Sequence, residues 1–209
     1  MSVRLPVGRV VLDGDLVEPE GSRGMVVFAH GSGSGRHSPR NRQVAAALNA
    51  EGFGTLLFDL LTAEEEYEDR ATARLRFDIP LLAGRLAEVV AWVRRERPGP
   101  VGLFGASTGA AAALVAAAQV RGGVGAVVSR GGRPDLATEA LGRVRAPTLL
   151  IVGGRDLEVL SMNERALKRM DRSAGHRLVV VPGAGHLFEE PGALEEVARL
   201  SSEWFAANF

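Results

Sequence analysis

The five residues from Gly105 to Gly109 constrain the fold of this chain more than any other stretch. They read Gly-Ala-Ser-Thr-Gly and lie between an apolar run, residues 101–104, and an alanine-rich run, residues 110–119. This order predicts a strand, a tight turn and a helix, with Ser107 in a strained conformation that lifts its Oγ clear of the sheet. A side chain on either glycine would collide with the neighbouring helix and strand. The pattern G-x-S-x-G is typical of a nucleophile elbow, although a turn of small residues before a helix also serves packing alone.

Length and composition indicate an ordinary globular chain. Its 209 residues are 46% hydrophobic and 24% charged, which suits a single domain over residues 1–209 with a sizeable core. The net charge is zero, so there is no basic field for nucleic acid or an anionic membrane. The absence of cysteine excludes disulfides and thiolate chemistry. We see no signal peptide and no run near the ~20 apolar residues of a membrane span, so we expect a cytoplasmic protein with no membrane partner.

Short apolar runs alternate with helical patterns along the chain. Strands are predicted at residues 7–17 (one strand, or a hairpin around 13–15), 25–29, 55–61, 101–104, 124–128, 146–152 and 177–181. Helices are predicted at residues 39–51, 79–97, 110–119, 134–142, 161–171 and 191–207. This alternation predicts an α/β fold with a mostly parallel, doubly wound sheet, covered on both faces. We expect the polar segment 62–79 to be a solvated connection or short helix; a substrate lid is the less favoured alternative.

Three residues at strand ends form a candidate catalytic set. Ser107, Asp156 and His186 each come within a few residues of the carboxyl end of a predicted strand, where chemistry collects in such sheets. A serine hydroxyl needs a base with a pKa of about 7, and that base needs an acid to fix its tautomer. The chain order Ser, Asp, His is the one found in this kind of sheet. We therefore predict Ser107 as nucleophile, His186 as base and Asp156 as acid. The simpler roles are a helix N-cap for Asp156 and a turn histidine for His186, and Asp135 is an alternative acid.

The glycine-rich loop at residues 31–35 has two interpretations. A phosphate cradle needs a Walker lysine, or G-x-G-x-x-G spacing with an acidic partner, and the loop has neither. The other interpretation is a loop that gives a backbone N–H to an oxyanion, opposite the N–H of the residue after the nucleophile. Those two donors would be Ser32, or a neighbouring glycine, and Thr108.

Other polar residues fall near the predicted site. Three arginines lie on loops there: Arg36, Arg40 and Arg130. Arg36 and Arg130 are candidates to bind a substrate carboxylate, although a solvated or salt-bridged arginine is the simpler role. We expect His30 to be buried and to shape its turn, His37 to lie on the surface or at the pocket mouth, and His176 to begin a strand on the surface.

The chain resembles the α/β-hydrolase superfamily, and within it the dienelactone-hydrolase-like branch. The superfamily resemblance rests on motifs at residues 30–34, 105–109, 153–156 and 183–186, and covers about residues 20–205. The branch resemblance rests on small size, the lack of a full cap domain and the run at 129–135. True dienelactone hydrolases have a cysteine nucleophile where this chain has Ser107, so the resemblance implies a Ser-His-Asp esterase fold without dienelactone turnover. The resemblance also extends to bacterial domains that are fused to phosphoribosyltransferase domains, and we expect no such fused domain within these 209 residues.

These features together predict a serine hydrolase that cleaves carboxylic esters of small substrates through an acyl-enzyme. No cofactor, metal or nucleic-acid partner is expected. An acyltransferase or thioesterase would use the same triad, and the sequence does not separate them. A non-catalytic binding or regulatory module on the same fold is the remaining alternative, although such a module needs no complete triad.

Overall fold

The seven predicted strands and one further strand at the N-terminus form an eight-stranded sheet in the computed structural model, which describes all residues from Met1 to Phe209. The strands are β1 (Ser2–Val7), β2 (Val10–Val17), β3 (Met25–Ala29), β4 (Gly54–Phe58), β5 (Val101–Ala106), β6 (Val127–Arg130), β7 (Thr148–Gly153) and β8 (Arg177–Val181). Their order in the sheet is β1-β2-β4-β3-β5-β6-β7-β8. β2 runs antiparallel to β1 and β4, and every other neighbouring pair is parallel. The predicted fold class is confirmed.

The structure has six α-helices, and all of them except the second pack against the sheet. They are α1 (Pro39–Ala50), α2 (Ala63–Thr72), α3 (Ile79–Glu96), α4 (Thr108–Gln119), α5 (Leu157–Arg169) and α6 (Ala193–Asn208). Short 3₁₀ helices lie at Leu75–Phe77, Pro134–Ala137, Leu141–Arg143 and Arg172–Ala174. None of these helices is long and apolar enough to cross a membrane.

The central strands are buried on both faces, which is why they read as unbroken apolar runs. Every residue of β3, β4 and β5 is buried. Side chains alternate between two cores, so that Leu103 packs on the α3 and α4 side while Phe104 packs on the α1 and α6 side. Apolar burial of this kind is the main stabilising contribution to the sheet.

Capping side chains set the start of several helices. The Ser38 hydroxyl accepts the N–H of Asn41 at the start of α1. Asp78 caps α3 in the same way. Each cap satisfies a backbone donor that has no partner within the helix.

Several predicted boundaries are wrong. Residues 10–17 form one strand, and its hairpin partner is β1, with the turn at Gly8, where φ is +55°, and not around residues 13–15. β6 begins at Val127 rather than at residue 124. The predicted helix at 134–142 is two short 3₁₀ helices, and α5 begins at Leu157, four residues earlier than residue 161.

Candidate active site

Ser107 lies at a sharp turn between β5 and α4. Its φ is +52° and its ψ is −117°, a conformation that a residue with a side chain rarely adopts. The Ser107 N–H donates to the carbonyl of Arg130 at 3.1 Å, and the Ser107 carbonyl accepts the N–H groups of Ala110 and Arg133. Because these backbone bonds hold both sides of the turn, the strained conformation is fixed by the sheet and the helix.

Glycine is required on both sides of this turn. A Cβ at Gly105 would lie against the backbone of Ala110, well inside van der Waals contact. A Cβ at Gly109 would meet the carbonyl oxygens of Ala29 and His30 in the same way. Since backbone atoms cannot move aside as a flexible side chain can, the steric reason predicted for the two glycines is present here.

Asp156 and His186 are hydrogen-bonded to each other. Asp156 Oδ2 lies 2.6 Å from His186 Nδ1. Asp156 occupies the N-cap position of α5, yet its side chain makes no capping bond there. An ionised carboxylate only accepts hydrogen bonds, so Nδ1 carries the proton of a neutral His186 and Nε2 is left with a free lone pair.

Ser107 and His186 are both in contact with the backbone that follows β6. The carbonyl of Arg130 accepts the Ser107 N–H, and Gly131 comes next in the chain. A Cβ at Gly131 would lie 3.5 Å from both Nδ1 and Cε1 of the His186 ring. The structure therefore brings Ser107, Asp156 and His186 to one region at the carboxyl edge of the sheet.

The alternative acid, Asp135, is engaged elsewhere. Its carboxylate forms two hydrogen bonds with Arg133, at 2.9 and 2.7 Å. This hydrogen bonding holds the pKa of Asp135 below its usual value. Asp135 does not contact His186, so the structure favours Asp156 as its partner.

The Ser32 backbone N–H, which was predicted as an oxyanion donor, already has a hydrogen-bond partner. Its N–H donates to Thr108 Oγ1 at 2.8 Å, so this amide is occupied and is not free for an oxyanion. The N–H of Thr108 is the first of α4 and has no partner within the helix. The N–H groups of Gly31 and Gly33 make no hydrogen bond either. Gly31 lies beside the nucleophile position, since a Cβ there would be 3.3 Å from Ser107 Cβ.

His30 shapes the turn before this loop, as expected. It is largely buried, its Nδ1 donates to the carbonyl of Gly31 at 3.0 Å, and its Nε2 accepts the N–H of Leu60 at 3.0 Å. Burial lowers the pKa of His30 below its usual value. His37 is exposed, 3.6 Å from Asp15, and His176 is partly buried directly before β8.

The two candidate carboxylate-binding arginines have different surroundings. Arg36 is paired with Asp59 through its side chain and its backbone N–H, and its Nε lies 3.7 Å from Asp15. The predicted role of Arg36 in substrate binding is therefore not supported, because two carboxylates already neutralise its charge. Arg130 is buried, and its Nε and Nη1 have no hydrogen-bond partner. Burial, and after it the charge of Arg40, lowers the pKa of Arg130 to about 10.

A cavity of about 260 Å³ lies beside the loop that follows β3. Loop residues 30–34 and Thr108 form one wall of it. The opposite wall comes from α2 and the turn after it, with the charged side chains Glu66, Asp69, Arg70 and Arg76. The segment 62–79 thus contains a helix, as one of the two expectations had it, and this helix also lines the cavity.

Comparison with known proteins agrees with the fold described above. A family model described as "Alpha/beta hydrolase domain" matches residues 22–201. The structure of dienelactone hydrolase from Anabaena variabilis ATCC 29413 is similar over 100% of this chain and 97% of that one, with 57% identity and a TM-score of 0.96. Est1E from Butyrivibrio proteoclasticus has the same fold, with a TM-score of 0.83 at 15% identity over 99% and 98% of the two chains.

Curated relatives from Mycobacterium tuberculosis are longer. In each of the strains CDC 1551 / Oshkosh and ATCC 25618 / H37Rv, a protein with a provisional phosphoribosyl transferase name is 59% identical over 206 residues. The match covers 97% of this chain and 45% of the relative, so the chain spans less than half the length of these proteins. With a family model that matches most of its length, and a solved structure that is more than half identical, this chain belongs to the α/β-hydrolase family.

Proposed function

We propose that this protein is a serine hydrolase that cleaves carboxylic esters of small substrates through an acyl-enzyme. The observation that carries the proposal is the hydrogen bond between Asp156 and His186, at 2.6 Å, beside a strained serine at an elbow. A structural aspartate at the N-cap position of α5 would bond the first turn of that helix. The carboxylate of Asp156 bonds an imidazole instead, which is what a general base requires.

The reaction follows from these three side chains. Ser107 Oγ attacks the ester carbonyl carbon while His186 Nε2 takes the hydroxyl proton, and Asp156 stabilises the resulting imidazolium. The tetrahedral intermediate then collapses, and Nε2 passes that proton to the departing alcohol. Water next attacks the acyl carbon and gives a proton to Nε2, which returns it to Ser107 Oγ as the acid leaves.

The oxyanion would be held by backbone donors around Ser107. Thr108 supplies one N–H at the positive end of the α4 dipole. The second donor comes from the loop at Gly31 or Gly33, since the Ser32 amide is bonded to the Thr108 hydroxyl. Each such donor contributes roughly 3 kcal/mol to transition-state stabilisation in other serine hydrolases.

We place a short, polar substrate in the cavity beside this loop, which Thr108 lines although Ser107, Asp156 and His186 do not. Its volume of about 260 Å³ is small, since ligand pockets span roughly 300–1,000 Å³. Its α2 wall carries two ion pairs, Asp69 with Arg76 at 2.5 Å and Glu66 with Arg70 at 3.5 Å. A long aliphatic chain would cover these charges without replacing their hydration, so we expect acetyl and other short esters to be better substrates than long-chain esters.

Intact mass after exposure to a fluorophosphonate tests the proposal. An activated serine gains one adduct, so the wild type should be labelled once and Ser107→Ala should not. Hydrolysis of 4-nitrophenyl acetate should be lost in the same variant. If the wild type takes no adduct and hydrolyses no short activated ester, the non-catalytic binding module becomes the better interpretation.

Phosphoribosyl transfer is not proposed for this chain. The curated relatives that carry this name are longer, with 45% of their length matched here. The glycine-rich loop at 31–35 is followed by no lysine that could reach a phosphate, and one of its amides is already bonded to Thr108. An ester hydrolase accounts for Ser107, Asp156 and His186 together.

A further inference from the structure

We propose that the guanidinium groups of Arg130 and Arg40 bind a small oxyanion of the carboxylate or phosphate type, next to the backbone that carries Ser107 and His186. The anion is either a group of the substrate or a free ion, and the experiment below separates the two sources. The inference rests on the proposed function only where it concerns the substrate.

Arg130 is a buried arginine without a counter-ion. It is 7% exposed, two of its three guanidinium nitrogens are sealed from solvent with no hydrogen-bond partner, and no carboxylate lies within 4.0 Å of it. The chain contains a direct comparison in Arg85, which is 6% exposed. Arg85 donates to both oxygens of Glu65, at 2.7 and 2.6 Å, and to the carbonyl of Leu60. A purely structural buried arginine in this protein is thus fully paired, and Arg130 is not.

Arg40 adds a second positive charge on the same side of the site, because its Nη1 reaches Glu189 and the residue before Glu189, Phe188, faces the Arg130 guanidinium. Its Nε is also sealed without a partner, while its Nη1 reaches the exposed Glu189 at 3.2 Å. The charge of Arg40 is the second cause, after burial, of the lowered pKa of Arg130, which at about 10 still leaves Arg130 protonated at neutral pH. Two nearby guanidinium groups repel each other, and the exposed Glu189 pairs with Arg40 alone, so the charge of Arg130 stays without a carboxylate.

The carboxylates of Asp156 and Glu190, in the same region, pair with groups other than Arg130. Asp156 bonds His186, and Glu190 accepts the N–H of Gly185 and lies 3.4 Å from Arg155. The Phe188 ring, 5.9 Å from the Arg130 guanidinium, offers a cation–π contact that compensates only part of a buried charge. An oxyanion would supply what is missing, because guanidinium donors match a carboxylate or phosphate in geometry as well as in charge.

Arg130 lies next to the backbone that holds the proposed nucleophile and base. The carbonyl of Arg130 accepts the Ser107 N–H, and the next residue, Gly131, borders the His186 ring. Phe188, which faces the guanidinium, follows His186 by two residues. An anion bound here would therefore contact the elements that hold the nucleophile and the base, which is where a charged end of a substrate could be recognised.

Thermal unfolding tests the site without any need for activity. The probes are inorganic phosphate and acetate, each compared with sodium chloride at equal ionic strength. We expect at least one of them to raise the Tm of the wild type and of Ser107→Ala by about 5 °C or more near 100 times its Kd. Arg199→Met, which removes an exposed arginine on α6, should show the same rise. Arg130→Met should show none, and its Tm in chloride alone should equal or exceed that of the wild type.

Two results would overturn the proposal: no oxyanion-specific rise in the wild type, or an equal rise in Arg130→Met. If Arg130→Met does not fold, Arg40→Met serves instead, since its side chain is one-third exposed. That variant must lose at least part of the rise.

Kinetics then identify the source of the anion. Monoethyl adipate carries a carboxylate, and ethyl 6-hydroxyhexanoate is its neutral counterpart; proton release follows both. A substrate-borne anion predicts at least a tenfold higher kcat/KM for the adipate ester, lost in Arg130→Met, with phosphate inhibiting only that ester. A free ion predicts equal kcat/KM values and an equal effect of phosphate on both. If neither ester is cleaved, the proposed function fails while the Tm result still decides on the site.

Discussion

The role of Asp156 is set by a tertiary contact and not by its position before a helix. Its place before α5 suggests an N-cap, but its carboxylate bonds His186. We expect Asp156→Asn to lower kcat roughly 10⁴-fold, because an amide no longer selects the His186 tautomer with a free Nε2. The measurement is ester hydrolysis, with fluorophosphonate labelling of Ser107 as a second readout.

Asp135→Asn is the matched control for that change. Asp135 also follows a strand of the sheet, but its partner is Arg133. The control should keep a kcat within about threefold of the wild type, as is usual for a surface change away from the reacting groups. If Asp135→Asn were the slower enzyme of the two, the assignment of the acid would have to be reversed.

Thr108 holds the loop that would supply the second oxyanion donor. Its hydroxyl accepts the Ser32 N–H, and Thr108 itself is buried. Thr108→Val keeps the shape but leaves that N–H unpaired, so the loop should shift and kcat should fall by roughly 10- to 100-fold with little change in KM. Thr108→Ser restores the hydroxyl and should restore the rate. A slow Thr108→Ser enzyme would mean that the hydroxyl bond is not what positions the loop.

The limits of sequence reasoning are visible at these same residues. The positions of Ser107, Asp156 and His186 after strands of the sheet were predictable, because each follows a short apolar run of the kind that forms a buried strand. The bond from Ser32 to Thr108 was not predictable, since it joins residues 76 positions apart through side-chain orientation. The lack of a carboxylate partner for Arg130 was not predictable for the same reason. The sequence shows the charge of Arg130, but only the folded structure shows which carboxylates lie near it.

Among the helices, α2 shows why periodicity alone gives no firm prediction. Asp69 is its one buried residue, so it has no apolar stripe to reveal a helix. What defines it is a capping box, in which Thr62 and Glu65 satisfy each other's backbone N–H groups. Periodicity in this segment therefore does not decide among a connection, a short helix and a lid.

One ion pair attaches α2 to the rest of the fold. Glu65 makes a bidentate contact with the buried Arg85 of α3, and this hydrogen bonding lowers the pKa of Glu65. Glu65→Gln would leave Arg85 buried without a counter-ion, and we expect the free energy of unfolding to fall by about 3–5 kcal/mol. Urea denaturation measures this loss.

Glu68→Gln provides the comparison on the same helix. Glu68 is exposed and its side chain bonds nothing, so its replacement should change the free energy of unfolding by less than about 0.5 kcal/mol. Equal effects of the two changes would show that the contact with Arg85 contributes nothing to stability. Because α2 also forms a wall of the cavity, Glu65→Gln should raise KM for short esters while Glu68→Gln should not.

Across the whole molecule, the strand order determines how far apart the candidate residues can lie. Ser107 follows β5, while Asp156 and His186 follow the neighbouring strands β7 and β8. Adjacent strands are about 4.8 Å apart, so β5 and β7 are separated by about 10 Å. The loop after β8 therefore has to reach back across the edge, and the close approach of Gly131 to the His186 ring shows that it does.

Stability of the whole fold should depend on pH through His30, which is largely buried, and His176, which is partly buried. Burial lowers the pKa of His30 and of His176 below the ordinary value of 6.5. Above pH 6.5 neither is protonated in the folded or the unfolded chain. As the pH falls below 6.5 the unfolded chain takes up protons that the folded chain does not, so the free energy of unfolding decreases until the pH passes below the folded pKa values. The slope should reach at most about 1.4 kcal/mol per pH unit for each histidine.

His30→Gln separates the contribution of the active-site loop from that of His176. Glutamine has an acceptor for the Leu60 N–H and a donor for the Gly31 carbonyl, but it has no group that titrates. The free energy of unfolding, measured by urea denaturation between pH 7.5 and 5.5, roughly one unit either side of the histidine value, should therefore fall less steeply with pH than in the wild type. His176→Gln should remove the remainder. An unchanged slope in His30→Gln would mean that protonation of His30 does not oppose folding, and that the turn before the glycine loop tolerates a charged imidazole.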